Sequence, residues 1–559
     1  MAGCRMDFFP KLLQILDAHG VQRIFGVPGD AINPLLEALR TQDKIDYIHV
    51  AHEESGAFAA SAAAKVSGRL QVCAGTVGPG AIHLLNGLYD AQKDRAPVLA
   101  ILGQVPSEFL GNDYHQEVNL GRLFSDVADY LAEVRHPEQM PAVAIEACNR
   151  AVADRGVSVL VVPHDLGKQQ VPDLPVSVLK TDQLGRMTAP AELLRDAAKL
   201  IDGSNKVSLF VGEGSRSARD PVIELATHLN APIIHSLKAK DFIPADHPNT
   251  AGAIGLLGSR PGVSAMGDCD LLLVLGTDFP YREWYNKDCA VVQVDNRAGI
   301  IGRRRPGAIG LHADVGATVA WLLANTAGKQ DDSHLRHVQK VKEEWDAFLS
   351  HLSHRNHEKL IHPQTLARML GELADDNAIF TCDTGEVTVW AARHLGLREG
   401  QRLTLSYNLA SMAYAMPASL GVQANYPDRQ VISMSGDGGF NMLMGDFLTA
   451  VKYKLPIKVV VFNNGKLGLI KMEQEVEGYP EHETDLQNPD YAALAVAMGG
   501  KGFKVEHGGD LESVLKEALS TPGPVIVDVP VNPSELVLPP SIKMSQAIGF
   551  GLAKIRELL

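Results

Sequence analysis

The sequence has no apolar run approaching the ~18 residues that cross a bilayer, so a transmembrane anchor is not expected. Residues 1–11 (MAGCRMDFFPK) lack the apolar core of a secretory leader, and the expectation is a soluble cytoplasmic protein. Cysteine is scarce: Cys4, Cys73, Cys148, Cys269, Cys289 and Cys382 are scattered, with no CxxC pair among them. Reduced thiols are expected rather than a disulfide framework or a zinc site. Positive charge is also in deficit, with 52 Lys and Arg against 66 Asp and Glu and a net charge of −14. A polyanion such as DNA is therefore a poor partner. No short-period repeat is present.

What remains is ordinary globular material, 45% hydrophobic and 21% charged. At ~150 residues per domain, 559 residues make roughly three or four domains. Many glycines follow short apolar runs, such as residues 271–276 (LLLVLG), 430–436 (QVISMSG) and 457–464 (IKVVVFNN). Runs of this length without alternation fit parallel strands buried on both faces. Between them lie helical patterns such as 191–201 and 445–452, so the fold class is α/β with parallel sheets. Two polar stretches, 167–184 and 327–334, read as linkers, the second followed by an amphipathic stretch to about residue 352. Expected domains are 1–175, 188–328 and 355–535, with a tail at 536–559. His351, His354, His357 and His362 have no carboxylate or cysteine at ligand spacing and read as a solvated linker face.

The most informative segment is Ser435-Gly436-Asp437-Gly438-Gly439-Phe440, which follows one strand and opens a helix. Twenty-four residues lie between Gly438 and Asn463-Asn464, which end a second strand. Open α/β sheets bind ligands where strands end. Glycines let the backbone approach an anion at a helix start. Asp437 and Asn464 offer hard oxygens suited to Mg²⁺ bridging a diphosphate.

A GDG followed at this distance by NN resembles the thiamine-diphosphate-dependent enzymes. The resemblance implies Asp437, Asn464 and the Lys466 carbonyl as Mg²⁺ ligands. It implies Gly438, Gly439, Gly465, Leu467, Gly468, Leu469 and Ile470 around the diphosphate. His52-Glu53-Glu54, entering an alanine-rich helix, matches the activating glutamate of that family, and Glu53 is the implied residue. A carboxyl aimed at an aminopyrimidine can share a proton with the ring nitrogen. Gly26-Val27-Pro28-Gly29-Asp30 and Gly78-Pro79-Gly80 with Asn86 are similar to pyrimidine-side signatures. Ala410, Ser411 and Met412 match the segment that props the cofactor.

In the middle of the chain, Ile254-Gly255-Leu256-Leu257, Thr277-Asp278-Phe279-Pro280-Tyr281 and Asp295 fall at strand ends or turns, where glycine turns admit a pyrophosphate and an acid can bind a ribose. Gly212-Glu213-Gly214 is an incomplete GxG. These segments resemble the FAD-containing pyruvate oxidases and quinone-linked pyruvate dehydrogenases, which implies three Rossmann-like domains binding pyrimidine, FAD and diphosphate. It also implies pyruvate as substrate, a quinone or oxygen as electron acceptor, acetate or acetyl phosphate as product, and a homotetramer in which Glu53 serves the opposite subunit. His115, Gln116 and Glu473 are the implied substrate-side residues. Three departures stand out: in Tyr114-His115-Gln116-Glu117, His115 stands where the family usually has Phe in its substrate loop, Leu469 stands where relatives often carry an aromatic, and the amphipathic membrane tail is shortened to residues 549–559. Any membrane contact is then peripheral, at the inner face. Gly103-Gln104-Val105-Pro106 echoes acetolactate synthase, so a non-redox carboligase is the alternative. A catalytically silent scaffold is disfavoured by the retained Glu53, Asp437 and Asn464.

Overall fold

The apolar runs form parallel strands buried on both faces, as their lack of alternation requires. The computed structural model describes residues 5–179, 185–355 and 360–535, with 537, 540, 550, 552 and 553 beyond them. A short strand β1 (Arg5–Asp7) precedes the first sheet. That sheet holds β2 (Arg23–Gly26), β3 (Asp46–His49), β4 (Gln71–Gly75), β5 (Val98–Gln104), β6 (Tyr130–Glu133) and β7 (Val157–Pro163), in the order 3-2-4-5-7-6. β8 (Gln170–Pro172) then returns to pair antiparallel with β1. The second sheet holds β9 (Val207–Val211), β10 (Ile233–His235), β11 (Thr250–Ala253), β12 (Leu271–Leu275), β13 (Ala290–Asp295) and β14 (Ile309–His312), in the order 11-10-9-12-13-14. The third holds β15 (Ile379–Cys382), β16 (Arg402–Leu405), β17 (Val431–Gly436), β18 (Lys458–Asn463), β19 (Lys501–Lys504) and β20 (Val525–Pro530), in the order 16-15-17-18-20-19. All three six-stranded sheets are parallel, with helices over them, so the expected α/β class holds for each.

The first and third domains meet through two small-residue helices, Glu53–Ser67 and Ala415–Asn425. Alanine and glycine allow the backbones to touch: a Cβ on Gly421 would lie 2.0 Å from the Ala59 carbonyl oxygen. Near the end of the first helix, the buried Lys65 ammonium lies 2.7 Å from Asp90 and 2.6 Å from Asp94. It also donates to the Leu405 carbonyl and sits 4.5 Å from the Tyr414 ring centre. Asp94 in turn accepts from the Tyr407 amide and pairs with Lys238 of the second domain. One buried charge cluster thus touches all three domains.

The first linker reading needs correction, and the second stretch is followed by a helix, as its amphipathic pattern predicts. Stretch 167–184 begins as a short 3₁₀ turn and β8, because pairing with β1 satisfies its backbone; residues 180–184 lie outside the described residues. The second stretch leads into a long helix, Ser333–Ser353, which buries Leu335, Val338 and Trp345. His362 is no solvated histidine: its Nδ1 lies 2.8 Å from Oε2 of Glu535, a partner 173 residues away that no local spacing reveals. His357 and most of the tail at 536–559 lie outside the described residues. Among the described residues, no helix is long and apolar enough to cross a membrane.

Candidate active site

β17 and β18 are neighbours, with Gly436 opposite Phe462, so their ends deliver Asp437 and Asn464 to the same edge of the third sheet. Asp437 Oδ2 accepts from the Gly465 amide at 2.7 Å and from Asn488 Nδ2 at 2.8 Å; Oδ1 accepts from the Gly438 amide at 2.9 Å. Burial still pushes its carboxyl above the ordinary range, against those hydrogen bonds. Asn464 Oδ1 accepts from the Lys466 amide, and its Nδ2 donates to Glu386 Oε2, both at 3.0 Å. Burial pushes Glu386 up to about 7. A carboxylate, an amide oxygen and glycine amides at two adjacent strand ends are the donor set that Mg²⁺ and a diphosphate require. Gly465 has φ +67°, which favours glycine there, and a Cβ on Gly438 would meet the side-chain ends of Leu467 and Met412.

Glu53 is the first residue of its helix, and it is buried. Its Oε2 lies 2.9 Å from His83 Nδ1, and His52 stacks on His83 with ring centres 4.4 Å apart. The other oxygen, Oε1, faces Gly80, where a Cβ would stand 3.1 Å away. Asn86 donates to Glu54 and to Ser411, tying this end of the first domain to the 410–412 segment of the third. That segment is strained: Ala410 has φ +58° and Ala413 has φ +63°, a region that costs a non-glycine residue of order 1–3 kcal/mol. Met412 is held between them, and its terminal methyl lies 3.3 Å from where a Gly438 Cβ would be.

A cleft of 2070 Å³ runs between the domains, larger than the ~300–1,000 Å³ of ordinary ligand pockets. Ile254, Gly255, Leu256, Leu257, Thr277, Asp278, Phe279, Pro280, Tyr281 and Asp295 all line it. So do Ala410, Leu469 and Glu473 from the third domain. Burial pushes Asp295 up to about 6, with Arg95 opposing the shift. Asp278 is pinned by Arg303 and Arg304. Gly212 packs on Thr277, where a Cβ would come within 2.4 Å, so the incomplete GxG serves close backbone contact. The room and the strand-end acid fit a dinucleotide.

Known proteins agree with this arrangement. Family models of the thiamine pyrophosphate enzymes match the N-terminal TPP binding domain at residues 6–123, the central domain at 194–322 and the C-terminal TPP binding domain at 383–529. The chain belongs to the thiamine pyrophosphate enzyme family. Among its relatives, the "Putative thiamine pyrophosphate-containing protein YdaP" of Bacillus subtilis is 39% identical over 540 residues, 96% of this chain and 94% of the relative. Pyruvate oxidase of Lactiplantibacillus plantarum is 32% identical over 531 residues, 93% and 88% of the two chains. An acetolactate synthase large subunit of Parasynechococcus marenigrum is 32% identical over 570 residues, 96% and 90%.

In this thiamine pyrophosphate enzyme, Asp437, Asn464 and the turn 464–466 lie together, joined by hydrogen bonds. Glu53 meets His83 and Gly80, both of its own domain. His115 and Gln116 sit on an exposed loop stapled by Tyr114 stacked on Phe109 and by Glu117 accepting from the Gly111 amide. Gln116 has φ +63°, and its carbonyl crowds Gly78, so the loop lies toward Glu53 rather than among the cleft residues Leu469 and Glu473. Sequence reasoning missed His83, Glu386 and Asn488, as well as the cleft-lining Thr384 and Thr388. Glu386 alone carried a local signal, a carboxylate opening a helix directly after Gly385.

Proposed function

We propose that this enzyme oxidatively decarboxylates pyruvate with thiamine diphosphate, Mg²⁺ and FAD, yielding CO₂ and acetate or acetyl phosphate. Electrons then leave to a quinone or oxygen. The observation that carries this reading is the single cleft shared by the dinucleotide-type segments of the second domain and by Ala410, Leu469 and Glu473 of the third. When bound, thiamine diphosphate supplies the carbon nucleophile that releases CO₂ and FAD the acceptor for the electron pair.

The chain's own groups do the rest. Asp437 and Asn464, with the Lys466 carbonyl, hold the cation; Gly438, Gly439 and Gly465 leave room for the diphosphate. His83 fixes Glu53 Oε2, which leaves Oε1 to hold and return a proton at the pyrimidine nitrogen. The carbonyl of Ala410, at φ +58°, and the Met412 amide would hold the same ring, with the Met412 side chain as its prop. His115 and Gln116 close over the substrate, beside Leu469 and Glu473, once a second subunit supplies the facing site. The assembly is a homotetramer, with domains at 1–175, 188–328 and 355–535, and any contact with a membrane is peripheral.

The likeness to acetolactate synthase, as close as that to pyruvate oxidase, supports a second reading, a carboligase in which flavin is structural. Anaerobic addition of pyruvate to the holoenzyme separates the two. Bleaching of the flavin absorbance is expected; an unbleached flavin with acetolactate formed would refute the oxidase. Glu53→Gln is expected to lower turnover by about 10²–10⁴-fold, the usual contribution of a positioned proton donor. Full turnover at saturating thiamine diphosphate would refute the role of Glu53.

A further inference from the structure

We propose that Glu386 is a positioning residue for the divalent cation, acting by fixing which end of the Asn464 amide faces it. The inference rests on the reading of Asp437 and Asn464 as cation ligands. An asparagine can present either its oxygen or its NH₂ to a site, and only the oxygen can bind a cation. Two partners decide the matter here. The Lys466 amide N–H donates to Oδ1, and Nδ2 donates to Glu386 Oε2, each at 3.0 Å. Flipping the amide would set NH₂ against N–H and carbonyl oxygen against carboxylate, two repulsions in place of two hydrogen bonds. Because Oδ1 keeps a second lone pair, it can serve the cation while Lys466 holds it.

Asp437 Oδ2 accepts from the amide of Gly465, so both prospective ligands are anchored to the turn 464–466. Glu386 reaches that turn from a different strand–helix junction, opening the helix Glu386–His394 after Gly385, which has φ +139°. It fits because residue 468 is glycine: a Cβ there would lie 2.3 Å from Glu386 Oε2. The carboxylate therefore rests directly on backbone, with its direction set by the start of the helix Gly468–Glu477.

The test is Mn²⁺ binding to the full-length protein at saturating thiamine diphosphate, read from the electron paramagnetic resonance signal of free Mn²⁺. Glu386→Ala and the shape-filling Glu386→Leu are expected to weaken binding about tenfold, the low end of what outer-sphere partners of metal ligands contribute. Glu386→Gln is expected to stay within about threefold of the parent, since its Oε1 can still accept from Nδ2. Near-UV circular dichroism checks folding, and either Glu386→Ala or Glu386→Leu suffices if the other fails to fold. Parental affinity in Glu386→Ala or Glu386→Leu overturns the proposal, as does Glu386→Gln binding as weakly as Glu386→Ala. Asp437→Ala separates the two levels of argument. If it binds Mn²⁺ like the parent, the cation site itself is misassigned; if it alone loses binding, only the role of Glu386 falls.

Discussion

Replacing Lys65 with methionine tests the charge cluster that touches all three domains. The ammonium is 3% exposed and lies 2.7 and 2.6 Å from the carboxylates of Asp90 and Asp94, both 0% exposed. Burial works against the charge on Lys65, yet the two carboxylates hold it above its ordinary range. Burial raises Asp90; for Asp94 it is outweighed by Lys65 and Lys238, which hold that carboxyl low. Methionine fills much of the same volume, so the loss is mainly electrostatic: the two ion pairs and the ammonium's place over the Tyr414 ring. Removing one partner of a buried pair costs about 3–5 kcal/mol. At roughly 2–4 °C per kcal/mol for domains of this size, melting should fall by about 6–20 °C. The pH dependence has a definite sign. Without the cation both carboxyls are raised in the folded state, so their penalty is full at neutral pH and is relieved as protons bind. The deficit of Lys65→Met should therefore shrink between pH 8 and pH 5, and Lys65→Met with Asp90→Asn should recover part of it. Calorimetry at several pH values reads both. A melting point within about 2 °C of the parent, or a deficit that grows on acidification, would refute the reasoning.

Two further outcomes follow from the site. Gly468→Ala should leave the apo protein as stable as the parent or slightly more so, since alanine gains up to about 1 kcal/mol of helix propensity. It should also push Glu386 off Asn464 and weaken Mn²⁺ binding to the level of Glu386→Ala, read in the same titration. On the proposed reading of the cleft as a flavin site, Asp295→Asn should lower flavin retained after gel filtration by about tenfold, the equivalent of one ~1.4 kcal/mol hydrogen bond. Since burial lifts Asp295 to about 6, its folded-state penalty is complete above that pH. The apo Asp295→Asn variant should then melt above its parent at pH 8, and the gap should close as pH falls through 6.

The strand-end edge that carries Asp437 and Asn464 was legible because its parts are local. GDG and NN each sit at a strand end, and adjacent parallel strands bring such ends together. The cleft segments were legible for the same reason: each is a strand terminus or a glycine turn. Glu386, Asn488 and His83 were not, because each meets its partner across 78, 51 or 30 residues of chain. His362 with Glu535, and Lys65 with the third domain, escaped likewise. β8 was taken for linker because its polar sequence shows no strand pattern; pairing with β1 alone makes it one. His115 and Gln116 were recognised by resemblance, and their loop shows no partner chemistry within one chain that composition could have revealed.

The pairing of Arg5 with Pro172, Met6 with Val171 and Asp7 with Gln170 has a topological consequence. The chain enters and leaves the first domain side by side, as if through one doorway. Termini that lie side by side in this way are where a domain tolerates circular permutation. The middle domain follows β8 and leads through the helix Ser333–Ser353 into the third. Across the shared cleft, side-chain contacts such as Lys238 with Asp94 join it to the first domain. Lineages built on this plan could re-aim the second domain by altering a few contact residues while the first keeps its shape.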